Sequence, residues 1–420
     1  MTSTLLTGIG ELWTLDPALD DPARPGGVAD GQVVRDAAVV LEDGVIAWTG
    51  PAASAPPADD AEDLGGRAVL PGWVDSHTHL VFDGDRAAEF EARMAGQAYA
   101  AGGIGVTTEA TRSAPTERLR TLTRARIAEA TRGGTTCLET KTGYGLTVAD
   151  ELRAARLASL LIEDGELDEA TFLGAHLVPA EFAGDADGYV DLVAGDMLAA
   201  VAPHVRWIDV FCEEGAFTPE QSERVLRAGA AVGLGLRVHG HQLGRSGGVA
   251  LAAALGAASV DHLNHLGAAD VEALAATAVH PTRAADTPGR LAVQAGPTVA
   301  TVLPACDLST RAPLAPARAL LDAGAALAIA SNCNPGTSFT SSMNFCVATA
   351  VLQMHLSLAE AVRAATRGGA LALRRSDVGH LGAGARADLH VLDAPAAVHL
   401  AYRPGMPLTH AVWRAGQRVV

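Results

Sequence analysis

Pro71-Gly72-Trp73-Val74-Asp75-Ser76-His77-Thr78-His79-Leu80 decides how the rest of the chain is read. The stretch has the character of a β-strand that ends on two histidines at i and i+2, positions that share one side of an extended chain. Two imidazoles converging from one strand end supply half of a tetrahedral nitrogen site, and a catalytic metal needs only one or two protein ligands more. An isolated His-x-His is explained equally well as polar residues leaving a sheet, so the organisation around it carries the weight.

Between residues 70 and 340 the sequence has eight short apolar runs: Ala68–His79, Thr136–Tyr144, Ala170–His176, Val205–Glu213, Leu234–Gln242, Ala258–His265, Pro297–Pro304 and Ala325–Asn334. Most are followed by an Ala/Leu/Arg-rich helical stretch. Strand and helix alternating eight times predict a (β/α)8 barrel of the TIM type, an α/β fold whose active site lies where the strands end. His77, His79, His176, His239, His241, His262 and His265 all fall at those ends, half of the fourteen histidines in the chain. One metal site drawn from several strands accounts for them.

The bulk properties fit a large enzyme. At 420 residues and 49% hydrophobic, the chain has enough apolar material for a barrel core and a second small domain. A net charge of −17 without any basic run argues against nucleic acid or an anionic membrane as partner, which leaves a small-molecule substrate. Cys137, Cys212, Cys306, Cys333 and Cys346 are odd in number and scattered, so no disulfide framework is expected. No apolar segment approaches the ~18 residues that span a bilayer, and no secretory pattern opens the chain, so a cytoplasmic location is expected.

Lys141 is the single lysine among 31 basic residues. A position that keeps lysine in so arginine-rich a chain needs a compact ammonium, either at the site or in a buried ion pair with Glu139. The flanks differ from the middle: Gln32–Leu41, Val45–Trp48, Ala387–Leu392 and Ala411–Val420 read as short strands between turns. Neither end can hide a core alone, so residues 1–66 and 377–420 are expected to form one composite β-sandwich bracketing a barrel over 67–376. Pro281–Arg290 reads as a loop excursion between the sixth and seventh strands.

These motifs, taken together, resemble the amidohydrolase superfamily, and within it the branch that hydrolyses 4-imidazolone-5-propanoate in histidine degradation. The resemblance runs nearly end to end. It is carried by His77-Thr78-His79-Leu80-Val81-Phe82 with Arg86, Lys141-Thr142-Gly143-Tyr144-Gly145-Leu146, Phe172-Leu173-Gly174-Ala175-His176, Val210-Phe211-Cys212-Glu213, Val238-His239-Gly240-His241-Gln242, Asp261-His262-Leu263 and Asn334-Pro335-Gly336-Thr337-Ser338. The His-x-His fits the whole superfamily, whereas the tyrosine-glycine and Asn-Pro-Gly-Thr-Ser motifs are particular to this branch.

The resemblance implies one zinc or iron ion per chain, a homodimer, and a set of site residues. His77, His79 and His239 correspond to metal ligands, and such an ion lowers the pKa of its water towards ~7. His262 corresponds to a proton-handling residue and Gln242 to one that meets the substrate ring, where an amide both donates and accepts. Arg86 corresponds to the clamp on the propionate, and Tyr99, Tyr144, His176, Asn334, Gly336 and Thr337 to further substrate contacts.

Two departures stand out. Asn332 occupies the place of an aspartate that ligates or flanks the metal, offering a neutral carbonyl oxygen instead. His241 stands where an acidic or amide residue is usual, which makes it either a substitute ligand or a wall of the pocket. No lysine ends the fourth strand, so the site should be mononuclear. A deaminase or deiminase on the same scaffold, which should carry an acidic residue where Gln242 stands, and a non-catalytic ligand-binding relative are the rival readings.

Overall fold

The computed structural model of the chain describes residues 3–20, 32–96, 103–279 and 296–420. Its strands, numbered along the chain, form two sheets. Both chain ends build the first, from β1 (Ser3–Trp13), β2 (Val33–Glu42), β3 (Val45–Pro51) and β4 (Asp60–Pro71) together with β13 (Leu389–Leu392), β14 (Thr409–Arg414) and β15 (Gln417–Arg418). Between them lie the barrel strands β5 (Trp73–Asp75), β6 (Thr135–Lys141), β7 (Glu169–Ala175), β8 (Trp207–Cys212), β9 (Gly235–Gly240), β10 (Ser259–His262), β11 (Val299–Val302) and β12 (Leu327–Ile329).

The seven-stranded sheet has the order β15-β14-β13-β4-β1-β2-β3. β2 and β3 are joined by Asp43-Gly44, both at positive φ (50° and 81°), the turn chemistry whose twist suits a hairpin. The two chain ends meet where β13 runs antiparallel to β4, with Val69 opposite Val391 and Pro71 opposite Leu389. Leu6, Ile9, Leu12 and Val39 from one end share a core with Leu389, Val391 and Trp413 from the other. As the sequence implied, neither end buries a core by itself.

The eight remaining strands are parallel neighbours in chain order, β5 through β12. Every residue of β6, β7 and β8 is buried, as expected of a parallel sheet covered on both faces, and the charged Glu139, Lys141 and Asp209 are buried with the rest. Beyond the last rungs of β12 and β5 the ring is closed by Asn332 N–H donating to His77 O (3.0 Å) and His79 N–H to Cys333 O (2.9 Å). The helices follow the strands; that at Pro219–Ala231 opens on a reciprocal cap between Thr218 and Gln221.

One expected strand proves to be two. Ala68–Pro71 belongs to β4 of the small sheet and Trp73–Asp75 to the barrel, with Gly72 as the passage. A Cβ on Gly72 would stand 2.2 Å from Thr136 Oγ1, so only glycine lets the chain change sheets against β6. A buried carboxylate ties the two units together: Asp168 accepts from Arg386 (2.5 Å) and Arg414 (2.9 Å). The expected excursion at Pro281–Arg290 lies outside the described residues. Among those residues, no helix is long and apolar enough to cross a membrane.

Candidate active site

The strand ends bring four imidazoles together. His77 and His79 lie just past β5 on backbone held extended by the closing hydrogen bonds, and their Nε2 atoms are 3.3 Å apart. His239 stands near the end of β9, and His262 ends β10 with φ at 87°, followed by Leu263 at 70°. Left-handed backbone at two consecutive non-glycine residues is sparsely populated and turns the chain sharply at the pocket. One ring nitrogen from each of His77, His239 and His262 lies within 4.8 Å of the other two.

Buried carboxylates set the tautomers. His77 Nδ1 is 2.6 Å from Asp261 Oδ2 and His239 Nδ1 is 3.0 Å from Asp209 Oδ1. An ionised carboxylate only accepts, so both rings carry their proton on Nδ1 and turn a bare Nε2 towards the pocket. Each carboxylate has a cation behind it. Arg237 Nη2 reaches Asp261 Oδ2 at 3.3 Å, and Lys141 Nζ reaches Asp209 Oδ2 at 3.0 Å and Glu139 Oε1 at 3.1 Å. Burial pushes Asp209 and Asp261 up, but their neighbours outweigh it, His239 and Lys141 for the first and Arg237 and Lys141 for the second, leaving both below the ordinary carboxylate value. Lys141 thus makes the buried pair with Glu139 that its sequence context suggested, and bridges it to the histidine network.

Burial holds His77, His79 and His262 well below the ordinary histidine value, reinforced by Lys141 for His77, by His77 for His79 and by His239 for His262. Neutral imidazoles are what a divalent ion needs. His239 Nε2, His262 Nδ1 and Asn332 Oδ1 are buried with no hydrogen-bond partner among the described residues. Such atoms are costly to leave unpaired unless a ligand completes them. The donor set fits one N/O-ligated transition-metal ion.

Around this cluster the pocket is lined by His79, Arg86, Tyr144, His176, Gln242 and His262, with Asn332, Asn334 and Thr337 contributed by the segment after β12. His176 stacks on His79 (centroids 5.5 Å apart, 22° between planes) and donates through Nδ1–H to Gly143 O (2.8 Å). Asn334 organises the turn that follows: its Oδ1 accepts the N–H of Gly336 (2.9 Å) and of Thr337 (2.8 Å), so neither amide is free to meet a ligand. Asn332 sits at φ 53°, a conformation asparagine tolerates better than most residues, with Nδ2 towards Thr337 Oγ1 at 3.5 Å. Tyr99 lies outside the described residues.

His241 does not join the cluster. At φ 61° it leaves the strand alternation, and its Nε2 accepts the N–H of Gly247 (3.2 Å) while Nδ1 faces Asp270 Oδ2 at 3.7 Å. The same-side geometry of i and i+2 therefore fails at β9, because β9 ends at Gly240. Glu213 is a contributor that single-sequence reasoning passed over: it accepts the N–H of Gln242 (2.5 Å) and of Leu243 (3.3 Å), fixing the loop that carries Gln242, and burial pushes its carboxyl up to about 7. Ile104, Leu177 and Phe211 supply the apolar wall, a role with no distinctive sequence signal.

Comparison with known proteins agrees with this geometry. The model of the amidohydrolase family matches residues 68–419. The chain is 65% identical to the imidazolonepropionase of Micrococcus luteus over 423 residues, covering 100% of both chains. It is 61% identical to that of Arthrobacter sp. strain FB24, with 99% of each covered, and 61% identical to that of Saccharopolyspora erythraea, with 100% of this chain and 99% of the other covered. Among solved structures, a triazine hydrolase variant superposes with a TM-score of 0.71 at 19% identity, covering 100% of this chain and 94% of the other. A mutant atrazine chlorohydrolase from Arthrobacter aurescens complexed with zinc and atraton gives 0.70 at 18% identity, covering 99% and 95%.

Proposed function

The chain belongs to the amidohydrolase family and, within it, to the imidazolonepropionases, and on that footing we propose that its strand-end pocket opens the ring of 4-imidazolone-5-propanoate with water to give N-formimino-L-glutamate, a step of histidine degradation. The observation that carries the site assignment is the convergence, in one pocket, of bare imidazole nitrogens on one side and the Arg86 guanidinium on the other.

His77, His79 and His239 are the proposed holders of one zinc or iron ion per chain, with Asn332 Oδ1 as a neutral donor beside them. When bound, the ion supplies the positive charge that makes water a nucleophile at neutral pH. His262 handles protons: its Nδ1, buried and unpartnered, takes the proton released as water adds to the ring carbonyl and returns it to the ring nitrogen as the C–N bond breaks. Gln242, held by Glu213 through its backbone, offers an N–H and a C=O to a ring that presents both. Arg86 receives the propionate, and Tyr144, His176, Asn334 and Thr337 fix the ring's orientation.

The division of labour follows the two units, residues 67–376 for chemistry and 1–66 with 377–420 as their support. Five buried, unpaired cysteines suit a reducing cytoplasm. Exposed Phe345, Val398, Tyr402 and Met406, on and beside two helices that pack together, suit a homodimer, which sedimentation would test. The function itself is tested by adding the protein, loaded with zinc or iron, to the imidazolone and following loss of its chromophore. Loss at catalytic protein concentrations is expected, and no loss with either metal overturns the reading.

A further inference from the structure

Arg86 is not alone in its slot. Its Nε donates to Glu89 Oε2 and its Nη2 to Glu89 Oε1, both at 2.7 Å, a two-pronged pair spanning one turn at the start of the helix Ala87–Met94. The Arg86 side chain is 5% exposed and that of Glu89 30%, so the pair is built into the pocket wall rather than loose on the surface. Nη1 has no hydrogen-bond partner among the described residues.

Two glycines from separate loops make the slot. A Cβ on Gly336 would stand 2.2 Å from Arg86 Nη1 and 2.5 Å from its Cζ, and a Cβ on Gly103 would stand 2.1 Å from Glu89 Oε2 and 2.4 Å from Arg86 Nη2. Neither glycine has the positive φ that would explain it by backbone conformation. A side chain at Gly336, in the turn after β12, would displace the guanidinium from its present place.

We propose that Glu89 is a positioning residue for carboxylate recognition: by occupying the Nε/Nη2 edge of Arg86, it presents the Nη1 side to the carboxylate of the substrate. A guanidinium has two edges that can take a carboxylate in two-pronged fashion. With one edge held by a fixed anion at a helix start, where negative charge is favoured, the side chain cannot swing. The pair is also neutral overall. Selectivity for a carboxylate tail then comes from aimed N–H donors, and a misaimed guanidinium loses it.

This rests on the reading that the pocket takes an imidazole-type ring with a propanoate tail, and the test separates the two. Calorimetric titration would use 3-(imidazol-4-yl)propanoate and its primary amide, neither of which can be hydrolysed at the ring. The unaltered protein should prefer the carboxylate. Glu89→Ala should weaken the carboxylate by about 10–100-fold while leaving the amide unchanged. Glu89→Gln, which keeps one acceptor, should fall between. With the imidazolone, the same variants should raise KM and leave kcat within about twofold. An unchanged carboxylate-to-amide ratio in a variant that still binds the amide overturns the inference alone, and so does tighter carboxylate binding, which would make Glu89 a competitor. If the unaltered protein does not distinguish carboxylate from amide, the substrate reading fails and takes this inference with it.

Discussion

Lys141 Nζ lies 3.0 Å from Asp209 Oδ2, inside the barrel, while the other oxygen of the same carboxylate faces His239 Nδ1 at 3.0 Å. The only lysine in the chain therefore stands behind a proposed metal ligand and also neutralises Glu139, which accepts the N–H of Thr78 between the two strand-one histidines (3.1 Å). Removing the ammonium would take away the cation in direct contact with both buried carboxylates.

Lys141→Met is accordingly expected to destabilise the protein by about 3–5 kcal/mol and to lower metal retention against a chelator, since Asp209 would no longer be held as a carboxylate. Lys141→Arg should restore little of either, the forked guanidinium being too large for the space between Glu139 and Asp209. Urea unfolding and zinc content after chelator dialysis check both; a variant with unaltered values in each would show that Lys141 fills space without holding the network.

His262 and His79 compete for one description. The nitrogens of His77, His239 and His262 cluster within 4.8 Å, yet His79 Nε2 is the atom 3.3 Å from His77 Nε2. With His262 handling protons, His262→Asn should lower kcat by about 10²–10⁴-fold at unchanged metal content, and His79→Ala should lose metal. Elemental analysis showing the reverse would exchange their roles.

At Asn332 the expectation concerns charge. Its unpartnered Oδ1 sits among neutral imidazoles, so Asn332→Asp adds an anion at that point and should slow zinc release to a chelator, while shifting the acid limb of kcat/KM to higher pH because the site's positive charge is partly neutralised. Chelator kinetics and a pH–rate profile measure this. Identical release and profile would place residue 332 away from the ion.

Away from the pocket, burial lowers His390 to about 3, against Trp73 and beneath Gly134. The unfolded imidazole takes its proton near the ordinary 6.5 and the folded one only near 3, so the contribution of His390 is intact above about 6.5 and lost progressively on acidification. His390→Gln should flatten the fall in urea midpoint over that window. A fall parallel to the unaltered protein would refute it.

Much of this was legible in the chain because parallel strands covered on both faces are rich in apolar residues and recur between helical stretches, although β6 (Thr135–Lys141) and β9 (Gly235–Gly240) interrupt the pattern with buried charged residues. The candidate site was legible from local chemistry at His77-x-His79, whereas Arg86 and the Asn334 turn stood out only through the family resemblance. It was illegible where geometry depends on register. Asp261 stands beside His262 and Asp209 just before Val210, yet their support of His77 and His239 comes from neighbouring strands that only the fold brings together. β1 carries a register shift between Leu6 and Ile9 that breaks any period of two. His241 was misleading because one left-handed residue ends the alternation.

The hydrogen bonds that join Asn332 to His77 and His79 to Cys333 also impose an order of events. They unite the first and last barrel strands, the most distant partners in the ring, so their closure costs the largest loop entropy and comes late in folding. Until that seam is made, the backbone at His77 and His79 is not held in the place from which their rings meet Asp261 and His176. For the proposed ligands His77 and His79, metal retention should then depend on the last barrel strand being in place, so a chain cut before Ala325 is expected to lose zinc to a chelator that the whole chain resists.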